Sequence, residues 1–285
     1  GAERKFEEFI GGGFTLSLNS GTAALHIALI LAGVSEGDEV ISTAMTAEPT
    51  NVAIKMVGAK IRWADIDYET GNISATAIQN VINEKTKAII VVDYAGTGVD
   101  VKGIQEISQQ YNIPVIEDAA HALGTTYNGK KTGTHFPFTV FSFQAIKHLT
   151  TIDGGALQIQ DKQLYEKGKL IRWFGLDKKL SRLDNDIQIQ GYKYHMNNVN
   201  AAIGLVQLAA IEELLQKYRL IGKYLDLHLA DLPGIETVKH YPNTESSYWL
   251  YTLKADRRDD FVKMMNANGF MASEIHKRND LHTYL

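Results

Sequence analysis

The chain contains no cysteine among its 285 residues. That excludes a disulfide framework and any thiolate metal site, and it fits a cytoplasmic chain. It has no surplus of positive charge: 29 Lys and Arg stand against 33 Asp and Glu, a net charge of −4 with both signs interspersed. The basic footprint of nucleic-acid binding is therefore absent, and no Lys/Arg-rich amphipathic helix points to a membrane surface. Long apolar runs are missing too. The longest, Ala23 to Val34, includes His26 and falls short of the roughly 20 residues of a membrane span. There is no signal peptide, internal repeat or low-complexity segment. No G-x-G-x-x-G follows a strand, and neither G-x-x-x-x-G-K-[ST] nor H-E-x-x-H occurs; Gly11-Gly12-Gly13 reads as a flexible turn. His276 and His282 lack a third partner at metal-ligand spacing. The abrupt ends, Gly1 and Leu285, read as those of a fragment.

What is present is ordinary globular composition, 45% hydrophobic and 22% charged, enough for one large domain and a smaller one. Periodicity predicts helices over Gly21–Leu31, Pro49–Met56, Ala75–Ile82, Val101–Tyr111 and Lys162–Trp173. Strands are expected over Glu39–Thr43, Lys60–Ala64, Ala88–Val92, Pro114–Glu117, Thr139–Phe143 and Gly155–Ile159. Short apolar runs without alternation, separated by helices, indicate an α/β fold with a mostly parallel sheet covered on both faces. Such folds bind ligands beyond the carboxyl ends of their strands, where Asp93, Asp118 and Lys147 all fall. Val199–Tyr218 reads as a long helix crossing to a second domain. An α+β lobe then follows: a strand near Ile235, a strand over Tyr248–Leu253 and a helix over Phe261–Asn268. Gly175–Met196 reads as a long irregular loop, of a length uncommon unless functional or disordered.

Lys147 ends a stretch of apolar, β-prone residues, an expensive position for a lysine without a chemical use. The use it suggests is Schiff-base attachment of pyridoxal phosphate (PLP). Asp118 follows Val115-Ile116-Glu117 at a strand end. A carboxylate there favours a protonated pyridine nitrogen and so makes the cofactor an electron sink. Glu117 is the competing acid, but strand alternation points it to the other face. Ser20, Gly21 and Thr22 form a capped helix N-terminus suited to a phosphate. His121 is placed to stack on the ring or bond its phenolic oxygen, and Ser142 to add a hydroxyl to the phosphate. Each residue also has an ordinary reading: helix cap, strand-end turn, structural histidine, solvated lysine. Their order, and their shared place at strand ends, favours the joint one.

At these residues the sequence resembles the DegT/DnrJ/EryC1/StrS family of PLP-dependent sugar aminotransferases, of fold type I. The resemblance rests on Asn19 to Leu25, Glu117 to Ala122, Ser142 to Leu149, Asp153-Gly154-Gly155-Ala156, and Gly191 to Met196 before Ala201-Ala202-Ile203-Gly204. It implies a large PLP domain over residues 1–205 and a smaller, incomplete α+β domain over residues 206–285. It implies that Ser20, Gly21, Thr22 and Ser142 hold the phosphate, that Asp118 meets the pyridine nitrogen, that His121 lies near the ring and that Lys147 is the Schiff-base lysine. It also implies a homodimer with shared active sites, in which Lys193 serves the partner subunit's site. Arg278 and His282 are the substrate contacts it suggests. Three positions depart from the pattern: Lys193 stands for an asparagine, Ala47 for an aromatic residue over the ring, and Ile152 for a glycine in a tight turn. The activity implied is transfer of an amino group, from glutamate, to a nucleotide-linked keto-sugar. The alternatives are sugar dehydration, associated with histidine at the lysine position and raised by the adjacent His148, and a non-catalytic PLP-binding regulator.

Overall fold

The computed structural model describes residues 1–285. The chain opens with α1 (Ala2–Ile10) and β1 (Phe14–Leu18). It then alternates α2 (Gly21–Leu31), β2 (Glu39–Ser42), α3 (Glu48–Met56), β3 (Lys60–Trp63), α4 (Ala75–Val81), β4 (Thr86–Val92), α5 (Val101–Tyr111) and β5 (Val115–Asp118). A short hairpin of β6 (Thr126–Tyr127) and β7 (Lys130–Lys131) precedes β8 (Phe138–Ser142), β9 (Gly155–Ile159) and α6 (Lys162–Arg172). The helix α7 (Asn198–Leu229) leads to β10 (Ile235–Thr237), β11 (Thr244–Glu245), β12 (Leu253–Ala255) and α8 (Arg258–Ala267).

The central sheet runs β1-β9-β8-β5-β4-β2-β3. Its strands from β8 to β3 are parallel, while β9 and β1 close one edge antiparallel. Helices cover both faces, so the parallel strands read as unbroken apolar runs; Ala88 to Val92 are all buried. α2 is apolar nearly all round because it is nearly surrounded, with Ala23 to Leu29 buried against the sheet, α3 and α6. On the opposite face α5 shows the one-sided pattern. Asp100 caps it through the Gly103 amide at 3.0 Å, Val101, Ile104 and Ile107 face the core, and Asn112 ends it in the left-handed region.

Most predicted elements lie within a residue or two of the observed ones, but α7 runs on past the expected end at Tyr218 to Leu229, the short β6, β7 and β11 were not expected, and two further segments differ. First, α1 and β1 were not expected. They are fixed by tertiary contacts: Glu3 accepts from Ser17 N and Oγ at 2.9 and 2.8 Å and pairs with Arg172, while Phe6 packs edge-on to Phe141 and Phe143. Second, Tyr248–Leu253 is not a strand; β12 begins only at Leu253. The backbone before it is spent docking on the large lobe. Ser247 N donates to Gly96 O and Leu250 N to Ala95 O, each at 3.3 Å, and Tyr248 sits at φ 48°. α7 runs unbroken from the large lobe into the small one, where Asp226 accepts from Tyr248 and Tyr251 hydroxyls at 2.6 and 2.9 Å. It is the one helix long and apolar enough to match a membrane span by length and composition. Gly175–Met196 is irregular, as expected.

Candidate active site

A cavity of about 480 Å³ opens at the carboxyl ends of β4, β5 and β8. Ser20, Gly21, Thr22, Asp118, His121, Ser142 and Lys147 all line it, so the residues singled out from the sequence as cofactor ligands converge. Lys193, Arg278, His282 and Asp93 do not line it.

The anion end is built by close approach. Ser20 caps α2, its Oγ accepting from Ala23 N at 3.1 Å, which leaves the Gly21 and Thr22 amides without intrahelical acceptors. Gly21 allows the helix to sit against the end of β8, because a Cβ there would lie 3.2 Å from the Ser142 Cβ. Gly155 does the same on β9, where a Cβ would come within 2.5 Å of the Ser20 carbonyl carbon. The two glycines explain why a helix N-terminus, a serine hydroxyl and a strand end share one small volume, a cradle fitted to a phosphate.

Asp118 is 4% exposed and accepts from Thr50 Oγ1 at 2.7 Å and from Ala120 N at 3.1 Å. Burial pushes its carboxyl up, against the pull of Thr50, Ala120 and Lys147. The neighbouring carboxyls point elsewhere. Glu117 bonds Thr139 Oγ1 and Gly133 N on the other face of β5, and burial raises it to about 7. Asp93 was expected to converge on the site, but it turns back to accept from Val99 N at 3.0 Å. Burial, together with the charges of Glu117 and Asp118, raises it well above the carboxylate range.

Lys147 Nζ lies 3.7 Å from the centre of the Trp249 ring, and no carboxylate sits within ion-pair distance. Burial lowers its ammonium to about 8, opposed by the charge of Asp118. His148 is buried behind the turn, edge-on to Tyr218 at 4.6 Å, and does not line the cavity. The residue facing the cavity is thus the lysine, which removes the ground for a histidine-based dehydratase. His121 accepts from Ala95 N through Nδ1 at 3.3 Å and stacks on Trp249 at 4.0 Å.

Trp249 and His276 line the cavity and were not anticipated as site residues. Trp249 arrives on the docked segment that replaces the expected strand, and its Nε1 donates to Ile146 O at 2.8 Å. Ala47 lines the cavity with only a methyl group, so the aromatic surface comes from His121, Trp249 and His276 instead. No signal in the sequence distinguished Trp249 or His276; both contacts span more than a hundred residues. Arg278 is folded onto Asp280 at 2.6 Å, and His282 approaches Glu48 at 3.8 Å. Lys193 is exposed and bridges to Trp173. Ile152 occupies the left-handed region at φ 71° with 64% of its surface exposed.

An unpaired, depressed lysine, a buried carboxylate and a glycine-lined helix N-terminus fit PLP at the strand ends of this sheet, and they define a PLP-dependent aminotransferase of fold type I. The chain belongs to the DegT/DnrJ/EryC1/StrS aminotransferase family, which it matches over residues 2–284. It is 35% identical over 280 residues to GDP-perosamine synthase of Caulobacter vibrioides, covering 96% of this chain and 74% of that protein. It is 36% identical over 250 residues to a UDP-4-amino-4,6-dideoxy-N-acetyl-beta-L-altrosamine transaminase of Campylobacter jejuni, covering 86% of this chain and 65% of that one. The structure superposes on the sugar aminotransferase CalS13 of Micromonospora echinospora with a TM-score of 0.95 and 35% identity, over 99% of this chain and 79% of that one. The chain is accordingly a sugar aminotransferase that uses PLP.

Proposed function

We propose that this chain moves an amino group from glutamate to a keto-sugar carried on a nucleotide, giving an amino sugar for surface polysaccharide or a glycosylated metabolite. The observation that carries the reading is the convergence of Lys147, Asp118 and the Ser20–Thr22 cradle in one cavity. The names of the relatives, which act on GDP- and UDP-linked sugars, support the substrate class.

PLP, when bound, supplies an electron sink for the bonds at the donor carbon. The protein's part follows from the geometry. Gly21 and Thr22 amides with the Ser20 and Ser142 hydroxyls bind the phosphate. Asp118 is the carboxylate for the pyridine nitrogen; Thr50, Ala120 and Lys147 favour its charged form against burial, and in that form it holds a proton on the ring. His121, wedged against Trp249, borders the ring. Lys147 is the amine that meets the aldehyde and afterwards carries a proton at Nζ, a role its depressed ammonium suits. We place the boundary between the large domain (1–205) and the small domain (206–285) within α7. A cytoplasmic homodimer with shared sites, Lys193 reaching the partner's cavity, completes the proposal. The exposed position of Lys193, outside its own chain's cavity, supports that part.

The test is spectroscopic. The purified protein, incubated with PLP, is expected to develop the visible absorbance of lysine-bound cofactor, to lose it on adding glutamate and to regain it with a nucleotide-linked keto-sugar. Lys147→Ala is expected to abolish the absorbance and the transfer without unfolding the chain. A variant that keeps both refutes the assignment of Lys147, and a wild type unmoved by glutamate refutes the donor.

A further inference from the structure

Near its end the chain becomes a surface strap, with Arg278 and Tyr284 largely exposed, yet Asn279 within it is completely buried. Its backbone amide donates to Ala44 O at 2.9 Å, and its Nδ2 donates to Thr46 O at 2.9 Å and Lys277 O at 3.3 Å. Its Oδ1 accepts from Asn51 Nδ2 at 2.8 Å, and that same amide donates to Thr43 O at 3.0 Å. Three of the side chain's four bonding positions are thereby filled, two of them by residues 43–51, a loop and the first turn of α3, from which it is separated by more than two hundred positions. That loop carries a chain of hydroxyls. Thr46 Oγ1 lies 2.8 Å from Thr50 Oγ1, and Thr50 donates to Asp118 Oδ2 at 2.7 Å. Thr50 spends its proton on the carboxylate, so Thr46 must donate to Thr50. Thr46, Thr50, Asn51 and Asp118 are all buried.

We propose that Asn279 is a positioning residue for the cofactor site, clamping the 43–51 loop so that the Thr46–Thr50 hydroxyls hold Asp118 against the pyridine nitrogen. The proposal rests on the PLP reading above. The same strap brings His276 to the cavity wall, so one buried amide sets both the carboxylate's orientation and part of the substrate side. Without the clamp, Thr46 O and the Asn51 amide lose buried partners. The loop must then shift to find others, and Asp118 loses a donor that favours its ionised form.

The experiment measures PLP dissociation constants and the visible circular dichroism of bound cofactor, which reports how the ring is held, in four proteins: wild type, Asn279→Ala, Thr46→Val and the double variant. Each single change is expected to weaken PLP binding by about threefold to tenfold and to alter the dichroic band alike. The double variant is expected to be no worse than the weaker single, because both cut one relay. Thr46→Ser, which keeps the hydroxyl, restores wild-type values. Unchanged affinity and dichroism in Asn279→Ala, or additive losses in the double variant, overturn the proposal. If far-ultraviolet dichroism shows Asn279→Ala to be unfolded, Asn279→Ser replaces it. Unfolding of that variant as well overturns the proposal, since the residue then serves the fold. Wild type is measured first: its failure to capture PLP refutes the cofactor reading itself, a result distinct from a variant that behaves like wild type.

Discussion

Ile152 gives the sharpest quantitative prediction. A β-branched residue in the left-handed region carries a steric cost of roughly 1–2 kcal/mol. The turn forces it there. Thr151 N donates to Phe143 O at 2.9 Å, Phe143 N to Gly154 O at 2.8 Å, and Thr151 Oγ1 and Asn200 Nδ2 both hold Asp153 O, at 2.8 and 2.6 Å. Ile152 N itself donates to Thr150 Oγ1 at 2.9 Å. With 64% of the residue exposed, replacing it forfeits only about a third of the roughly 1.5–3 kcal/mol that full burial of an isoleucine contributes. Asparagine tolerates this backbone conformation; alanine tolerates it less well and forfeits similar contact area. Ile152→Asn is therefore expected to be more stable than Ile152→Ala by about 1 kcal/mol, and at least as stable as wild type. Ile152→Gly is expected near wild type, because the added freedom of the unfolded chain offsets the relief by about 0.5–1 kcal/mol. The assay is denaturant unfolding of the cofactor-free protein, supported by melting temperatures that should separate the Asn and Ala variants by about 2 °C. If Ile152→Ala matches or exceeds Ile152→Asn, the turn bears no such strain and the reasoning fails.

Other outcomes follow from the cavity. Because burial lowers the Lys147 ammonium to about 8, capture of PLP by the cofactor-free protein should accelerate with pH up to about 8 and level off above it. A stopped-flow rate still rising steeply at pH 10 contradicts this. The same shift means that unfolded chains bind more protons than folded ones between pH 8 and 10.5, so Lys147 opposes folding less as pH rises through that window. Asp118→Asn should still bind PLP, but single-turnover conversion to the pyridoxamine form with glutamate should slow by a factor on the order of 10² or more. A near-wild-type rate transfers the role to another acid. Mixing inactive Lys147→Ala chains with impaired Lys193→Ala chains should restore activity, since a mixed dimer with shared sites leaves one site intact. No recovery despite proven subunit exchange places Lys193 outside the partner's site.

The sequence made the large lobe legible because its elements are locally encoded. Runs such as Ile89-Ile90-Val91-Val92 and caps such as Ser20 and Asp100 announce themselves within a few residues. The residues proposed to hold the cofactor, which line one cavity, were picked out for the same reason, since each belongs to a short ordered motif at a strand end or helix start. What escaped was set by distant partners. β1 exists because β9 and Glu3 receive it, and Tyr248–Leu250 leaves the expected strand because the large lobe offers Gly96 and Ala95 carbonyls. Trp249, His276 and Asn279 carry no local signature, and their places depend on contacts across the whole fold. Arg278 and His282 show the converse: polar residues in the right stretch that the strap's turn directs to Asp280 and Glu48 instead.

The ends of β4 and β5 gather three buried carboxyls, Asp93, Glu117 and Asp118, in a space that cannot support three negative charges. Their surroundings sort them. Burial raises all three, lifting Asp93 well above the carboxylate range and Glu117 to about 7, whereas Asp118 alone is also drawn down by a cation, Lys147. The cation that favours a negative charge is thus on the cavity side, with Asp118, and the two other carboxyls face no cation of their own. A change in the charge of Asp118 should therefore be felt at the neighbouring strand end, in Asp93, whose carboxyl is pushed up in part by the charge of Asp118 and which does not line the cavity.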